Sequence, residues 1–259
     1  MTARRDAVLR EMGFAPLWRL RNTPGQAEQG APTLSEEGAE VPVTAAPVPV
    51  AERSPAPAPH PPALDRPPLG DISSLDWEAL EERIIGCTAC PLSGSRQHAV
   101  PGMGDRAARV MFVGEGPGAE EDRRGLPFVG AAGQLLDAML AAIGLSREQG
   151  VYIANTVKCR PPRNRTPEAS EMAACRPYLE RQIELVQPSL LVALGRPAAQ
   201  LLLDDSEVRI NAARGKVFER AGVPVVITYH PAYLLRNLAE KAKAWEDLCA
   251  IRRMLSRQE

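Results

Sequence analysis

The sequence predicts an α/β protein with a four-stranded parallel sheet sandwiched by helices. Four short apolar runs are almost unbroken, which is typical of strands buried on both faces. Segments of helical length separate these runs, as the crossovers of a parallel sheet require. The predicted strands are residues 109–114, 151–156, 189–195 and 223–230, and the predicted helices are residues 73–85, 131–144, 167–185, 197–203 and 237–255.

Local signals mark several ends of these elements. Ser or Asp side chains near residue 73 can cap the first helix, and turn residues bound the apolar run RVMFVG. Gly144 closes the second helix, a common position for glycine. Pro167 stands at the start of the third helix, where its missing amide is tolerated. These signals support the order of elements and the folded domain we expect over residues 71–259.

The first 70 residues have a different composition. Residues 23–70 hold twelve of the 25 prolines of the chain. Such a segment cannot bury enough apolar surface to offset its ordering entropy, so we expect a disordered, Pro-rich linker. Residues 1–22 form a short amphipathic segment with apolar side chains flanked by arginines. It is expected either to dock on the folded domain or to bind a protein partner.

Charge and cysteine content limit the function classes. The net charge is −1, so any nucleic acid would be held by local patches rather than by an overall basic field. The sequence shows neither a signal peptide nor a membrane-spanning run, which predicts a cytoplasmic protein without membrane contact. The odd count of five cysteines argues against a disulfide framework and favours metal or catalytic use.

Three polar or glycine-rich loops follow predicted strands. They are GEGPG at 114–118, NTVKCRPPRNR at 155–165 and HPAYLLRN at 230–237. Because the carboxyl ends of parallel strands meet at one edge, these loops are expected to form one cleft.

Four cysteines form a pattern that fits a metal site. Cys87 and Cys90 make a C-x-x-C pair, Cys159 follows the second strand, and Cys175 lies on the next helix. Four thiolates can hold zinc or an iron–sulfur cluster, and the spacing alone favours neither. Unrelated buried cysteines are the third interpretation. Cys249 lies on an apolar helix face and is expected in the core.

The GEGPG turn resembles a dinucleotide-binding loop only in its glycines. We expect no helix directly after it, Pro117 removes an amide, and the acidic residues 120–122 would repel a phosphate. The turn better fits a close approach of backbone and carboxylate to a small neutral ligand. An ordinary turn at a strand end is the alternative.

The predicted cleft contains two polar side chains that suit base recognition. Asn155 offers a donor and an acceptor that can read a base edge, although asparagine also caps turns. His230 ends the fourth strand, where either a catalytic or a structural histidine can stand.

Two further sets of residues suit contact with DNA. The dense basic loop fits phosphate binding, with a solvated loop as the alternative; its residues are Lys158, Arg160, Arg163 and Arg165. The segment after His230 fits a wedge into a duplex, with ordinary burial as the alternative. Its residues are Tyr233, Leu234 and Leu235, followed by Arg236.

Several ordered motifs together resemble the family 4 uracil-DNA glycosylases, the iron–sulfur branch of the uracil-DNA glycosylase superfamily. The motifs are GEGPGAEED, GLPFVGAAGQLLD, YIANTVKCRPPRNRTP, ACRPYL and HPAYLLRN, and the resemblance covers residues 75–255. A related branch that is trapped covalently on DNA carries Gln in the glycine turn and an additional Arg-Arg-Ile-His loop. This chain has Gly116 and lacks that loop, which favours an enzyme that turns over.

The resemblance implies a fold, a reaction and a cofactor. It implies a four-stranded parallel sheet between helices, and uracil release from DNA as a monomer. It assigns a [4Fe-4S] cluster to Cys87, Cys90, Cys159 and Cys175. It implies catalytic roles for Glu115, His230 and Glu121, and a uracil pocket made of Gly116, Phe128, Asn155 and His230.

Two alternatives belong to other classes. A non-cleaving module that binds uracil or single-stranded DNA would tolerate loss of Glu115 and His230, and both are present. An electron-transfer protein would use the cluster together with a flavin or nicotinamide.

Overall fold

The computed structural model describes residues 71–256, which form one six-stranded sheet with helices on both faces. The predicted segments 1–22 and 23–70 lie outside the described residues. The strands are β1 (Met103–Gly104), β2 (Val110–Gly114), β3 (Val151–Asn155), β4 (Leu190–Leu194), β5 (Val217–Arg220) and β6 (Val223–Thr228).

Helices alternate with these strands along the described chain. The α-helices are α1 (Trp77–Ile85), α2 (Ala119–Arg124), α3 (Ala131–Ala142), α4 (Ala169–Val186), α5 (Arg196–Leu203), α6 (Ile210–Ala213), α7 (Pro231–Arg236) and α8 (Lys241–Ser256). Short 3₁₀ turns occur at Pro91–Gly94, Pro162–Asn164 and Leu238–Glu240.

The sheet has the order β1-β3-β2-β4-β6-β5, and its four central strands are parallel. Those four are the strands that the apolar runs predict, so the α/β class is confirmed. The edge strands β1 and β5 are antiparallel additions. Neither gives a signal in the sequence, because β1 has two residues and the side chains of β5 alternate between exposed and half-buried positions.

The core has two layers and a separate third cluster. One face of the sheet packs against α3 and α8 through side chains such as Leu140 and Ile251. The other face packs against α4 and α5 through side chains such as Leu179 and Leu202. A third apolar cluster joins α1 to α4 and includes Cys90, Cys159 and Cys175. The cysteines thus lie beside the sheet rather than within its two main layers.

Two short helices replace predicted loops at the carboxyl edge. Helix α2 begins directly after Gly118, so the expectation of no helix behind the glycine turn is wrong. Helix α7 begins at Pro231, with His230 as its N-cap. Each has only six residues, too few to show a helical period in the sequence. Within residues 71–256, no helix is both long and apolar enough to cross a membrane.

Candidate active site

Three residues meet at the carboxyl ends of β2 and β3, and together with His230 we call them the pocket: Gly114, Phe128 and Asn155. Gly114 pairs with Asn155 in the parallel register, and the amide of Thr156 donates to the Gly114 carbonyl at 2.9 Å. A Cβ on Gly114 would lie 2.6 Å from the Phe128 ring and would also collide with the Asn155 amide. Glycine is therefore required here, because Phe128 and Asn155 close directly over the strand end.

Phe128 presents a flat ring to this pocket from a strained backbone. Its φ is +52°, in the left-handed region that non-glycine residues rarely adopt. Arg147 supports this conformation by donating from Nη2 to the Phe128 carbonyl at 2.9 Å. The first turn of α3 packs so tightly on that carbonyl that a Cβ on Gly133 would overlap it. The ring lies 5.5 Å from the His230 ring, and the planes differ by 30°.

Asn155 lies at the bottom of the pocket and is only 2% exposed. Among residues 71–256, its Oδ1 is the one buried side-chain oxygen or nitrogen that has no hydrogen-bond partner. Leaving a buried acceptor unpaired costs about 1–3 kcal/mol, so native proteins rarely do so without a reason. A ligand that donates a hydrogen bond to Oδ1 would remove this cost.

His230 is held as a neutral imidazole. Its Nδ1 accepts a hydrogen bond from the amide of Ala232 at 3.1 Å. Burial lowers the pKa of His230 from 6.5 to about 4, and the nearby Arg236 guanidinium acts in the same direction. A neutral imidazole whose Nδ1 accepts carries its proton on Nε2. His230 can therefore donate one hydrogen bond from Nε2 at neutral pH.

The Glu115 carboxyl lies in the same glycine turn and is half-buried. Burial raises its pKa above the usual value, while a hydrogen bond from the Thr166 side chain and the charge of Arg236 oppose this. The Glu115 carbonyl accepts from the amide of Val157 at 3.3 Å, which fixes the turn to the segment after β3. Gly116 lies against the same segment, where a Cβ would come within 2.8 Å of the Val157 side chain.

Glu121 supports the loop that carries Phe128. Its Oε1 accepts hydrogen bonds from the amides of Val129 and Gly130, both at 2.9 Å. These amides open α3, whose N-cap Gly130 has no side chain to satisfy them. The contacts of Glu121 are thus those of a group that positions Phe128. Its predicted catalytic role remains a prediction.

The four predicted cysteine ligands line one cavity next to this pocket. Its wall includes Cys87, Cys90, Cys159 and Cys175, together with Ile84, Arg96, Lys158 and Tyr178. None of the four forms a disulfide. Among the described residues, no group of three His, Cys, Asp or Glu side chains is arranged to hold a single metal ion. Four thiols around one cavity supply the number of donors that a metal group held by four thiolates requires.

N–H donors already face three of these sulfur atoms. The Arg96 guanidinium donates to Cys159 Sγ at 2.9 Å, and the Lys158 amide donates to Cys175 Sγ at 3.3 Å. The Ala89 amide lies 3.5 Å from Cys87 Sγ. Burial raises the pKa of both the Cys159 and Cys175 thiols, so binding of a metal group would have to release their protons.

The basic loop does not act as one phosphate-binding patch. Lys158 is 1% exposed, and its ammonium points into the protein, so its predicted phosphate contact is wrong. Arg163 is exposed and Arg160 is half-exposed with Nε on Asn164 at 2.7 Å. Arg165 is exposed but makes a two-pronged ion pair with the buried carboxylate of Glu171. Arg160 and Arg163 keep the clearest access to a phosphate.

The predicted wedge is divided between surface and core. Tyr233 and Leu235 are exposed on α7, whereas Leu234 is buried in the main apolar core. The wedge prediction is therefore wrong for Leu234, because a helix turns successive side chains about 100° apart. Arg236, at the end of α7, is exposed and close enough to influence both His230 and Glu115.

Several residues that shape the site were not predicted as site residues, although Thr166 lies within the motif YIANTVKCRPPRNRTP. Arg96, Arg147 and Thr166 act on Cys159, Phe128 and Glu115 respectively. Each lies far from its partner in sequence, and arginine or threonine in a loop is ordinary. No pattern in the sequence could have singled them out.

The sequence comparisons agree with this geometry. The family model of the uracil DNA glycosylase superfamily matches residues 101–249. A type-4 uracil-DNA glycosylase of Thermotoga maritima is 48% identical over 167 residues, which cover 64% of this chain and 86% of that protein. A type-4 enzyme of Archaeoglobus fulgidus is 49% identical over 171 residues, covering 63% and 84%.

A more distant relative gives a second level of comparison. A type-5 uracil-DNA glycosylase of Pyrobaculum aerophilum is 36% identical over 192 residues, covering 62% of this chain and 84% of that protein. The identity to type-4 enzymes is clearly higher over a similar share of the chain. The chain therefore belongs to the uracil DNA glycosylase superfamily and, within it, to the type-4 uracil-DNA glycosylases.

Proposed function

We propose that this chain hydrolyses the N-glycosidic bond of deoxyuridine in DNA, releasing uracil and leaving an abasic site that starts base excision repair. The observation that carries the proposal is the unpaired Oδ1 of Asn155, buried between the ring of Phe128 and the β2 turn. A planar base with an N–H donor on its edge would satisfy that oxygen. Asn155 is only 2% exposed, so a base must leave the DNA stack to reach its amide.

Asn155 would distinguish uracil from cytosine. Uracil offers N3–H as a donor and O4 as an acceptor, which match the oxygen and the nitrogen of the amide. Cytosine presents N3 as an acceptor and N4–H₂ as a donor, which is the reverse order. The tight packing of the side-chain amide against Gly114 and beside Phe128 opposes its rotation, while Lys158 holds the backbone carbonyl of the same residue. Phe128 would stack on the base and hold it in plane with the amide.

His230 would stabilise the leaving uracil. When the bond between C1′ and N1 breaks, the base takes both electrons, and negative charge develops on its O2. The Nε2–H of neutral His230 is a preorganised donor in a water-poor site, and one such donor is worth about 3–4 kcal/mol in the transition state. Because the pKa of His230 is about 4, the residue donates a hydrogen bond rather than a full proton at neutral pH.

Glu115 would act on the sugar side of the broken bond. The deoxyribose becomes cation-like, and a carboxylate nearby stabilises that charge as carboxylates do in sugar hydrolases. Its raised pKa also makes it a better acceptor for the proton that the attacking water loses when its oxygen bonds to C1′. Arg236 and Thr166 would keep enough of it ionised for this role.

The four cysteines would hold a [4Fe-4S] cluster. As thiolates they would bind iron at four corners and tie α1, the segment after β3 and α4 together. The donors from Arg96 and from the amide of Lys158 suit thiolate sulfur, which accepts hydrogen bonds in such sites. The cluster would supply a structural cross-link, and the chemistry of uracil release is assigned to protein side chains.

The exposed residues around the pocket would hold the DNA. Arg160, Arg163 and Arg236 suit phosphate contacts, whereas Tyr233 and Leu235 suit the space that the flipped nucleotide leaves. Arg165 would contact phosphate only by sharing its guanidinium with Glu171.

The test is cleavage of an end-labelled oligonucleotide that contains one deoxyuridine. The iron-loaded protein is incubated with it, and alkali then cuts any abasic site. Matched oligonucleotides with thymidine or deoxycytidine at the same position are the controls. We expect cleavage of the uracil strand alone, with an equal amount of free uracil. Binding to the uracil strand without any abasic product would instead identify a non-cleaving uracil-binding module.

A further inference from the structure

A fully buried lysine connects the uracil pocket to the cysteine site. Lys158 lies three residues after Asn155 and next to Cys159. Its Nζ donates to the backbone carbonyl of Asn155 at 2.9 Å and to Oε1 of Gln182 at 2.6 Å. Neither acceptor is a carboxylate, and no Asp or Glu in the described part of the chain forms a salt bridge with this ammonium.

The backbone of the same residue is fixed from the other side. The Lys158 amide donates to Cys175 Sγ at 3.3 Å, and its carbonyl accepts from the amide of Val100 at 2.8 Å. Gln182, the second partner of the ammonium, lies on α4 like Cys175, seven residues later and on the same helix face. Lys158 therefore has one contact to the end of β3 and two contacts to α4.

Both polar atoms of the Gln182 side chain form hydrogen bonds. It is completely buried, and its Nε2 donates to the Pro101 carbonyl at 2.8 Å and lies 3.3 Å from the Tyr152 hydroxyl. The polar chain therefore continues into β3 and into the loop before β1. The hydrogen bonds of such a buried network strengthen one another, so the loss of one member weakens the bonds of the others.

Burial of an ammonium is costly unless hydrogen bonds replace those lost to water, and an apolar side chain could not make the two bonds that Lys158 makes. The position of Lys158 thus calls for a role that an apolar residue cannot perform. Its two acceptors indicate that role, because one belongs to the residue that reads the base and the other to the helix that carries a cysteine ligand.

We propose that Lys158 is a positioning residue that couples the cysteine site to the uracil pocket by holding the main chain of Asn155 at a fixed distance from α4. This rests on the proposed function of Asn155 as the uracil-reading residue. The orientation of the Asn155 amide then depends on both Lys158 and the placement of α4. Loss of the lysine head group would loosen uracil recognition even when the cysteine site remains loaded.

The test separates uracil binding from stability and from iron content. Lys158→Met removes the donor and keeps most of the side-chain volume. The double variant Lys158→Met/Gln182→Leu also removes the acceptor that the single variant leaves unpaired, and it replaces the single variant if that variant does not fold. Leu202→Ala, in the core on α5, serves as a control with a comparable loss of Tm. Each protein is measured for iron per chain, for Tm, for KM and kcat on uracil-DNA, and for binding of free uracil by calorimetry.

We expect the Lys158 variant to keep the iron content of the wild type and to bind free uracil at least about tenfold more weakly, with a larger change in KM than in kcat. Leu202→Ala should lower Tm without changing uracil affinity. Unchanged uracil affinity in the Lys158 variant, or a loss of iron that alone accounts for its defect, would overturn the coupling. Wild-type protein that released no uracil would overturn the proposed function instead, so the two failures are distinguishable.

Discussion

The pocket and the cysteine site lie on either side of one segment, residues 155–159. They differ in whether their buried polar atoms already have hydrogen-bond partners. In the pocket, the buried side-chain oxygen of Asn155 has no hydrogen-bond partner among residues 71–256. In the cysteine site, Cys87, Cys159 and Cys175 all have N–H donors from the chain itself. The Asn155 oxygen is thus free to accept a hydrogen bond from a bound molecule, whereas the cysteine sulfur atoms already accept hydrogen bonds from the chain.

This difference fits the role that we propose for each region. A site for a transient ligand gains selectivity when a buried polar group is satisfied only by the correct partner, because the wrong partner leaves it unpaired. A site for a resident group gains stability from donors that stay in place. The predictions below test whether the two regions can be separated in this way.

The largest effect is expected from changes inside the pocket. Asn155→Leu and His230→Ala should each lower kcat/KM on uracil-DNA by about 10²–10³-fold, because each removes one interaction of the transition state or of base recognition. Iron content should stay at the wild-type value. Asn211→Ala removes the exposed asparagine that accepts from the Tyr229 hydroxyl, and it is the matched control. If either pocket variant lost iron in step with activity, the two regions would not be separable.

The reverse experiment changes the cysteine site. Cys175→Ser and Cys159→Ser should lose most of their iron and lower Tm together, since the proposed cluster would cross-link α1 to α4. Cys249→Ser, on α8 and outside the cavity, should change neither quantity. Iron analysis and thermal unfolding of anaerobically prepared protein provide the measurement. Zinc in place of iron would contradict the cluster, and unchanged iron in both ligand variants would contradict the ligand set.

The sequence predicted the sheet well because its strands are nearly pure apolar runs, such as LLVAL in β4. It also placed Asn155 and His230 at one edge, since parallel strands end together. The sequence failed to predict that Lys158 is buried rather than exposed to phosphate, because its ammonium contacts Gln182, which lies 24 residues away on another element. The sequence also failed to predict that Leu234 is buried, because the six residues of α7 are too few to show a helical period.

The pH dependence of the unfolding free energy tests whether His230 is neutral in the folded protein. The folded pKa of His230 is about 4, below the unfolded value of 6.5. Between these values the unfolded chain binds a proton that the native state excludes, so stability falls as the pH is lowered. Between pH 7.5 and 5.5 this amounts to about 1–1.5 kcal/mol of unfolding free energy. The difference between the wild type and His230→Gln in thermal unfolding at the two pH values measures it, and an equal acid sensitivity of both proteins would contradict the neutral histidine.

The smallest effect is expected from removal of residues 1–70, which lie outside both regions. Every residue of the pocket and of the cysteine site falls within 71–256. Deletion of residues 1–70 should therefore leave kcat/KM on a short oligonucleotide and the iron content nearly unchanged. A collapse of activity on the oligonucleotide would show that the N-terminal segment belongs to the active domain, and the domain boundary we propose would be wrong.

A role for residues 1–22 should then appear only in a different assay. The segment has an apolar set that includes Leu17, Trp18 and Leu20 beside arginines, and we propose that it binds a groove on a protein partner. We propose that the 48 residues 23–70 act as a tether, so that binding would raise the local concentration of the enzyme without altering its chemistry. Retention of one partner by the isolated segment, lost on Trp18→Ala, is the expected result. If the segment retains no partner but binds residues 71–259 added in trans, it docks on its own catalytic domain, and its effect should then be confined to Tm.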